Sequence, residues 1–238
     1  MASKMTVTEF FDSPTGKVED SVFLVKHESF ADNRGSFYEF FKEGELKKPF
    51  DTMEWCKQIN SSVSHPWAFR GMHTQTGKYC QAKLVSCTLG SVYDVIVDMR
   101  PDSKTYGNYI TYHLTANSHE SLYVPRGFLH GFLSDETPLF SIGMTPTGGH
   151  AFQNAENIFM YMCDNVYNKE SEICINPMSF FTSITPNAND EGLAKIKMAV
   201  NSRKIIFSDK DTKGLDFRRS LSIISNDYHK DGKLWYRD

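Results

Sequence analysis

Residues 69–75, FRGMHTQ, and residues 81–85, QAKLV, are the part of the chain that decides its fold. They place Arg70, His73 and Lys83 close together in strand-like sequence. Arginine clamps anions, histidine changes its charge near neutral pH, and lysine supplies a second cation. Residues 124–132, VPRGFLHGF, add a second histidine at a predicted strand end. This combination predicts a β-barrel pocket that binds a negatively charged small molecule and moves protons on it.

Short predicted strands surround these two segments, and from residue 58 to residue 131 the pattern is β throughout. Strands spaced roughly 8–12 residues apart are typical of a sandwich or a barrel. Tight turns are predicted at residues 89–91 and 101–107, between strands at residues 82–88, 92–99, 109–115 and 121–125. Gln81 and Lys83 are two apart and share one face of their strand, although the register decides which face that is.

The flanking regions divide the chain into a predicted arm at 1–20, one domain at 21–211 and an extension at 212–238. Residues 135–157, rich in Thr, Pro, Gly and Asn, predict a long inserted loop, or a lid. Shorter features within the domain are a strand at 21–25, a turn at 30–35, a strand at 36–41, a helix or loop at 42–49, a strand at 158–162 and a helix at 190–200 with apolar residues at helical spacing.

Composition excludes several classes of function. The net charge is −3, with 26 basic and 29 acidic residues, which gives no reason to expect a nucleic-acid or membrane surface. No apolar run approaches the roughly 18–20 residues that span a bilayer, and the N-terminal residues lack the order of a signal peptide. The five cysteines form no CxxC pair and predict free thiols in a reducing, cytoplasmic environment.

One motif narrows the fold. The pattern Pro125-x-Gly127-x-x-His130 resembles half of a cupin barrel signature. In metal-binding cupins the other half supplies two histidines two residues apart, but here that place is occupied by His73 and Gln75. Glutamine is a poor substitute for imidazole in a transition-metal site. The sequence therefore predicts an all-β, cupin-like jelly-roll barrel with a few short helices near the C-terminus and no metal.

Without a metal, the predicted pocket holds histidine, lysine and tyrosine side chains suited to proton transfer beside a carbonyl. Histidine removes a proton from carbon, lysine or another donor stabilises the enolate oxygen, and tyrosine returns a proton from the other face.

An ordered series of motifs between about residue 30 and residue 211 resembles the dTDP-4-dehydrorhamnose 3,5-epimerase family. The motifs stand at residues 32–39 (DNRGSFYE), 58–62 (QINSS), 70–73 (RGMH), 81–85 (QAKLV), 90–100 (GSVYDVIVDMR), 125–132 (PRGFLHGF) and 208–211 (SDKD). The resemblance implies a cofactor-independent, metal-free cupin. Such an enzyme inverts the carbons flanking the keto group of a nucleotide-linked 4-keto-6-deoxy sugar.

Site residues follow from the same resemblance. His73 is the implied general base, Asp211 the carboxylate that orients it, and Lys83 the group facing the enolate oxygen. The implied substrate-binding residues are Arg34, Phe37, Glu39, Gln58, Asn60, Arg70, His130 and Tyr167, with Phe30 beside the base or the sugar. The resemblance also implies a homodimer with exchanged N-terminal strands.

The general acid is expected at Tyr161, which requires an insertion after Phe132; an ungapped alignment places Ile142 there and leaves no acid. Tyr167 is the alternative acid. Thr74, Ser36 and Met162 depart from the family pattern and leave the nucleotide and the sugar open.

Alternative functions are therefore a single-site epimerase or isomerase on another sugar nucleotide, such as a GDP-heptose, and a non-catalytic sugar-nucleotide-binding cupin. A metal-dependent cupin oxygenase is a further alternative.

Overall fold

The computed structural model describes residues 6–9, 21–42, 56–136, 156–184 and 190–231. Within those ranges the strands are β1 Thr6–Glu9, β2 Phe23–Lys26, β3 Ser29–Asp32, β4 Gly35–Tyr38, β5 Gln58–Ser64, β6 Phe69–Gln75, β7 Lys83–Leu89, β8 Ser91–Asp98, β9 Tyr109–Thr115, β10 Glu120–Val124, β11 Phe128–Ser134, β12 Asn157–Cys163 and β13 Glu172–Cys174. The α-helices there are α1 Pro177–Ser183, α2 Glu191–Asn201, α3 Asp209–Thr212 and α4 Phe217–Asp231.

Two antiparallel sheets face each other around an apolar interior. One has six strands in the order β1-β2-β10-β7-β12-β5, and the other has five in the order β13-β6-β11-β8-β9. The interior contains Val85, Ile96, Phe128, Phe132 and Phe159. This is the predicted all-β jelly-roll arrangement. Its α-helices follow the last strand in the chain order of the described residues.

Strand β8 shows why the sequence forms a two-sided sheet. Val92 and Ile96 belong to the interior cluster, whereas Val95 and Val97 belong to a second cluster on the opposite face. Side chains alternate between the faces of a strand, and a strand covered on both faces is apolar at nearly every position. The run of apolar residues in the sequence is therefore explained by burial on both faces.

Helices cover the outer face of the five-stranded sheet. Phe180 of α1, Leu193 and Ile196 of α2, and Phe217 and Ile224 of α4 form one buried cluster with β8 and β11. The predicted helix at 190–200 is confirmed as α2. Helices α1 and α4 were not predicted, because α1 is short and α4 lies among charged residues where an apolar stripe is hard to recognise.

The flanking segments differ in detail from their predictions. Residues 30–35 were expected to form a turn, but β3 and β4 pair as a hairpin and only residues 33–34 make the turn. Strand β1 lies within the predicted arm and pairs with β2. Most of residues 42–49 and of the predicted insertion lie outside the described residues, so those two expectations stay predictions. Among the described residues, no helix is long and apolar enough to span a membrane.

A close approach of two glycines shapes the β6–β11 pair. The register shifts between His130, which lies opposite His73, and Phe132, which lies opposite Arg70. A Cβ on Gly71 would stand 2.6 Å from the Cα of Gly131, and Gly71 has a φ of 113°, which favours glycine. Such an irregularity re-aims neighbouring side chains, and here it aligns the two histidines of the predicted pocket.

Candidate active site

A cavity of ≈ 300 Å³ lies where strands of the two sheets converge. This volume is at the lower end of the roughly 300–1,000 Å³ usual for small-molecule sites. Its walls come from β5, β7 and β12 of one sheet, from β6 and β13 of the other, and from adjoining loops. The lining residues are Gln58, Asn60, His73, Thr74, Gln75, Gln81, Lys83, Tyr161, Tyr167 and Glu172.

The register of the six-stranded sheet gathers one wall of this cavity. Cys163 of β12 lies between Gln58 and Lys83, and Tyr161 lies between Asn60 and Val85. Residues two apart share a face of a sheet, so Lys83, Tyr161 and Asn60 point to the same side. That side is the cavity, so Lys83 faces the cavity.

The opposite wall holds an imidazole–carboxylate pair. His73 Nε2 lies 2.7 Å from Asp211 Oδ1, although 138 residues separate the two in sequence. Asp211 is placed by α3, where its amide donates to the Ser208 hydroxyl at 3.1 Å. Because Asp211 engages Nε2, Nδ1 is the nitrogen of His73 that remains for a ligand proton.

The charge state of Asp211 follows from its surroundings. Burial raises its pKa, but hydrogen bonds with His73 and Ser208 and the charge of His73 outweigh burial, and the net pKa lies below the ordinary value of 3.8. Asp211 is therefore a carboxylate at neutral pH. It can fix the tautomer of His73 and stabilise the imidazolium that forms when His73 takes a proton.

Glu172 is a site residue that the sequence did not reveal. Its Oε1 lies 3.7 Å from His73 Nδ1, while its Oε2 accepts hydrogen bonds from Lys210 Nζ at 2.5 Å and Tyr167 Oη at 2.9 Å. Burial opposes ionisation, but these two donors and the charge of His73 hold the pKa of Glu172 below its ordinary value. The pairing of Glu172 with Gln75 between β13 and β6 brings it here; no spacing in the sequence marks it.

Lys83 and Tyr161 form a donor pair on the other wall. The ammonium of Lys83 lies 5.8 Å from the centre of the Tyr161 ring. Desolvation lowers the pKa of Lys83, against the nearby charges of Cys163, Asp94 and Glu172. Burial raises the pKa of Tyr161 above 10.0, so its phenol is protonated at neutral pH. Both groups can therefore offer a proton or a hydrogen bond to an oxygen or carbon in the cavity.

Two further predicted residues stand beside the cavity. Arg70 donates to the Ser64 hydroxyl at 2.8 Å and to the Val63 carbonyl at 3.0 Å, and its charge acts on Tyr161. His130 is buried, and its Nε2 lies 2.6 Å from Asp94 Oδ1. It does not line the cavity and instead supports the strand opposite His73.

The predicted residues of the N-terminal hairpin do not line this cavity. Arg34 forms an exposed pair with Asp32 at 2.6 Å, and Phe37 is 72 % exposed. Glu39 lies 4.0 Å from Lys42. Within one chain the structure therefore brings together His73, Asp211, Lys83, Tyr161, Gln58, Asn60 and Tyr167, and leaves Arg34, Phe37 and Glu39 apart from them.

Acid should weaken the contribution of Asp211 to stability. A carboxylate with a depressed folded-state pKa stabilises the fold above its unfolded pKa and loses that contribution as pH falls through the folded pKa. We expect Asp211→Asn to lower the free energy of unfolding by about 1.5–3 kcal/mol at pH 7. The difference from the unsubstituted protein should shrink below pH 3.8.

Urea denaturation between pH 7 and pH 3 measures the difference in the free energy of unfolding. The exposed Asp209→Asn, on the same helix, is the control. A difference between the unsubstituted protein and Asp211→Asn that stays constant down to pH 3 would contradict the assignment.

Known proteins share this sequence and fold. A sequence model described as dTDP-4-dehydrorhamnose 3,5-epimerase matches residues 17–142. The enzyme of that name from Escherichia coli K12 is 40% identical over 117 residues, which cover 49% of this chain and 63% of the relative. The alignment thus spans less than two thirds of that relative's length.

Solved structures of the same name match over more of the chain. The enzyme from Elizabethkingia anophelis is 31% identical with a TM-score of 0.66, covering 90% of this chain and 97% of that one. The Bacillus anthracis enzyme, solved with TDP and PPi bound, is 28% identical with a TM-score of 0.64, covering 89% and 98%. These neighbours confirm the cupin-like jelly-roll.

The matched region contains His73, Lys83 and His130 and exceeds half of the chain. Beside the cavity, His73 and Asp211 form the imidazole–carboxylate pair that the resemblance implied. The chain therefore belongs to the dTDP-4-dehydrorhamnose 3,5-epimerase family, a family of isomerases.

Proposed function

We propose that the protein is an epimerase that inverts one or both carbons flanking the ketone of a dTDP-linked 4-keto-6-deoxy sugar, a step in activated-sugar and polysaccharide biosynthesis. The observation that carries this proposal is the His73–Asp211 pair, which borders a cavity whose facing wall presents Lys83 and Tyr161. The TDP bound to the Bacillus anthracis relative supports a thymidine nucleotide as the carrier.

The two walls give the reaction its stereochemistry. His73 lies on β6 of one sheet, and Tyr161 lies on β12 of the other. A sugar ring between the sheets would lose a proton to Nδ1 of His73 on one face and receive a proton from Tyr161 on the other. Removal and return from opposite faces invert the carbon, and Lys83 stabilises the enolate oxygen that exists between the two steps.

Tyr161 is the better candidate for the acid. Among the described residues its hydroxyl makes no hydrogen bond, whereas the Tyr167 hydroxyl donates to Glu172 at 2.9 Å. A phenol already committed to a buried carboxylate is less available to protonate carbon. We assign Tyr167 to substrate binding, together with Gln58, which accepts a hydrogen bond from the Tyr167 amide at 2.7 Å.

We also propose a homodimer. Arg34 and Phe37 are implied substrate contacts, yet on their own chain they are exposed and lie apart from the cavity. They can reach substrate if the hairpin of one protomer extends to the cavity of its partner. Sedimentation of the protein as a monomer in the presence of nucleotide sugar would refute this arrangement.

Replacing Lys83 with methionine should separate activity from stability. The loss of one oxyanion donor lowers kcat by about 10²–10³-fold. Burial disfavours the charged amine, so an apolar side chain of similar length should leave the Tm unchanged or raise it. Steady-state kinetics and thermal unfolding measure the two effects, with the exposed Lys104→Met as the control. A drop in Tm that accounts for the lost activity would contradict the role of Lys83.

A ligand panel followed by product analysis tests the function itself. Binding of dTDP, GDP, CDP and UDP sugars is compared by thermal shift, because a ligand that binds the folded state raises its stability. We expect the dTDP sugar to give the largest shift, and NMR to show an inverted carbon next to the ketone. If a sugar nucleotide stabilises the protein but is not converted, the protein is a non-catalytic binding protein. A larger shift with a GDP sugar than with the dTDP sugar would favour the alternative substrate class.

A further inference from the structure

A thiol adjoins the imidazole–carboxylate pair from outside the cavity. Cys174 lies directly opposite His73 in the β13–β6 register. Its Sγ stands 3.7 Å from the same Asp211 oxygen that contacts His73 Nε2. Cys174 is not among the residues that line the cavity, and the mechanism proposed above makes no use of it.

These three side chains provide a mixed set of metal ligands. One donor atom each from His73, Cys174 and Asp211 lies within 4.8 Å of the others. Imidazole nitrogen, thiolate sulfur and carboxylate oxygen are the ligands that zinc prefers, and bonds of about 2.0–2.3 Å in a tetrahedron place them roughly 3.3–3.7 Å apart. The observed Sγ–Oδ1 distance of 3.7 Å lies in that range, whereas Nε2 and Oδ1 stand at a hydrogen-bond distance of 2.7 Å and have to separate by roughly 0.6 Å to admit the ion.

The set differs from the one that a metal-binding cupin would use. That site would draw on His73, on position 75 and on His130, all within the barrel strands β6 and β11. Here only His73 is shared, and the other ligands come from β13 and from helix α3. These three side chains therefore do not depend on a histidine at position 75.

We propose that His73, Cys174 and Asp211 form an inhibitory site for a thiophilic divalent cation such as Zn²⁺, with water as the fourth ligand. The ion binds Nε2 of His73, so the single proton of the neutral ring moves to Nδ1. The Cys174 thiol releases its proton to water and binds as thiolate. Nδ1 then carries hydrogen and cannot accept a proton from substrate.

Cobalt(II) is the probe for binding, because a cobalt–thiolate bond gives a charge-transfer absorption that reports cysteine ligation directly. We expect the unsubstituted protein to bind one cobalt ion with this absorption, and zinc to displace it. Cys174→Ser should abolish the absorption and weaken binding by at least the roughly 10–100-fold that loss of an outer-shell partner costs.

Cys56→Ser is the matched control, since Cys56 is the other partly exposed cysteine among the described residues. It should bind cobalt as the unsubstituted protein does. Thermal unfolding verifies that both variants fold. Absence of cobalt binding, or an absorption that survives Cys174→Ser, would overturn the proposal.

The inhibitory consequence rests on the proposed function and has its own readout. Zinc should slow epimerisation by the unsubstituted protein, a chelator should restore the rate, and Cys174→Ser should resist zinc while keeping its basal activity. Equal inhibition of both proteins would overturn the proposal. A chain that binds cobalt through Cys174 but epimerises no sugar would refute the proposed function and leave the metal site standing.

Discussion

Replacing His73 with asparagine should lower kcat/KM by about 10²–10⁴-fold, the loss expected when a general base is removed. Asparagine keeps the first atoms of the side chain, but its amide nitrogen stands at the place of Nδ1 and not at that of Nε2, which contacts Asp211. It cannot accept a proton from carbon at neutral pH. Initial rates of product formation measured by NMR give the effect.

His65→Asn is the control for that substitution. His65 is exposed, and its Nδ1 lies 3.8 Å from Glu156, apart from the cavity lining. It should keep the rate of the unsubstituted protein. A His73→Asn variant that remains within a few-fold of normal activity would remove His73 from the role of base.

Replacing Tyr161 with phenylalanine should abolish inversion while leaving proton removal intact. Loss of the general acid lowers the rate of product formation by about 10²–10⁴-fold. His73 does not need the phenol to take a proton, so exchange of the substrate hydrogen with solvent should persist without a new stereocentre. NMR in deuterated buffer distinguishes exchange from inversion.

Tyr167→Phe is the matched comparison, because it removes the hydroxyl that donates to Glu172. We expect it to raise KM with little change in kcat. If Tyr167→Phe instead stopped inversion and Tyr161→Phe did not, Tyr167 would be the general acid and Tyr161 the substrate-binding residue.

The sequence alone identified local features well and distant contacts only through the family resemblance. The apolar run of β8 and the helical spacing in α2 predicted their elements directly, because burial imposes those patterns. The spacing of Gln81 and Lys83 predicted a shared face but not which one. The contact between His73 and Asp211 crosses 138 residues, and no local pattern encodes it.

Three features of the site escaped prediction for physical reasons. Glu172 and Cys174 lie on a strand of three residues that is positioned by pairing with β6 and by further contacts distant in sequence. Short strands carry too few residues to show a period. The hairpin residue Phe37 was grouped with the pocket by its motif, yet within one chain it is exposed. A motif reports chemistry and does not report where in the fold its residues lie.

Solvent deuterium exchange tests most directly whether the His73 imidazole, held by Asp211, takes a proton from carbon. The dTDP-4-keto-6-deoxy sugar is incubated with enzyme in deuterated buffer, and deuterium next to the ketone is followed by NMR. We predict incorporation with the unsubstituted protein and its near-complete loss with His73→Asn. Undiminished incorporation with His73→Asn would contradict the account.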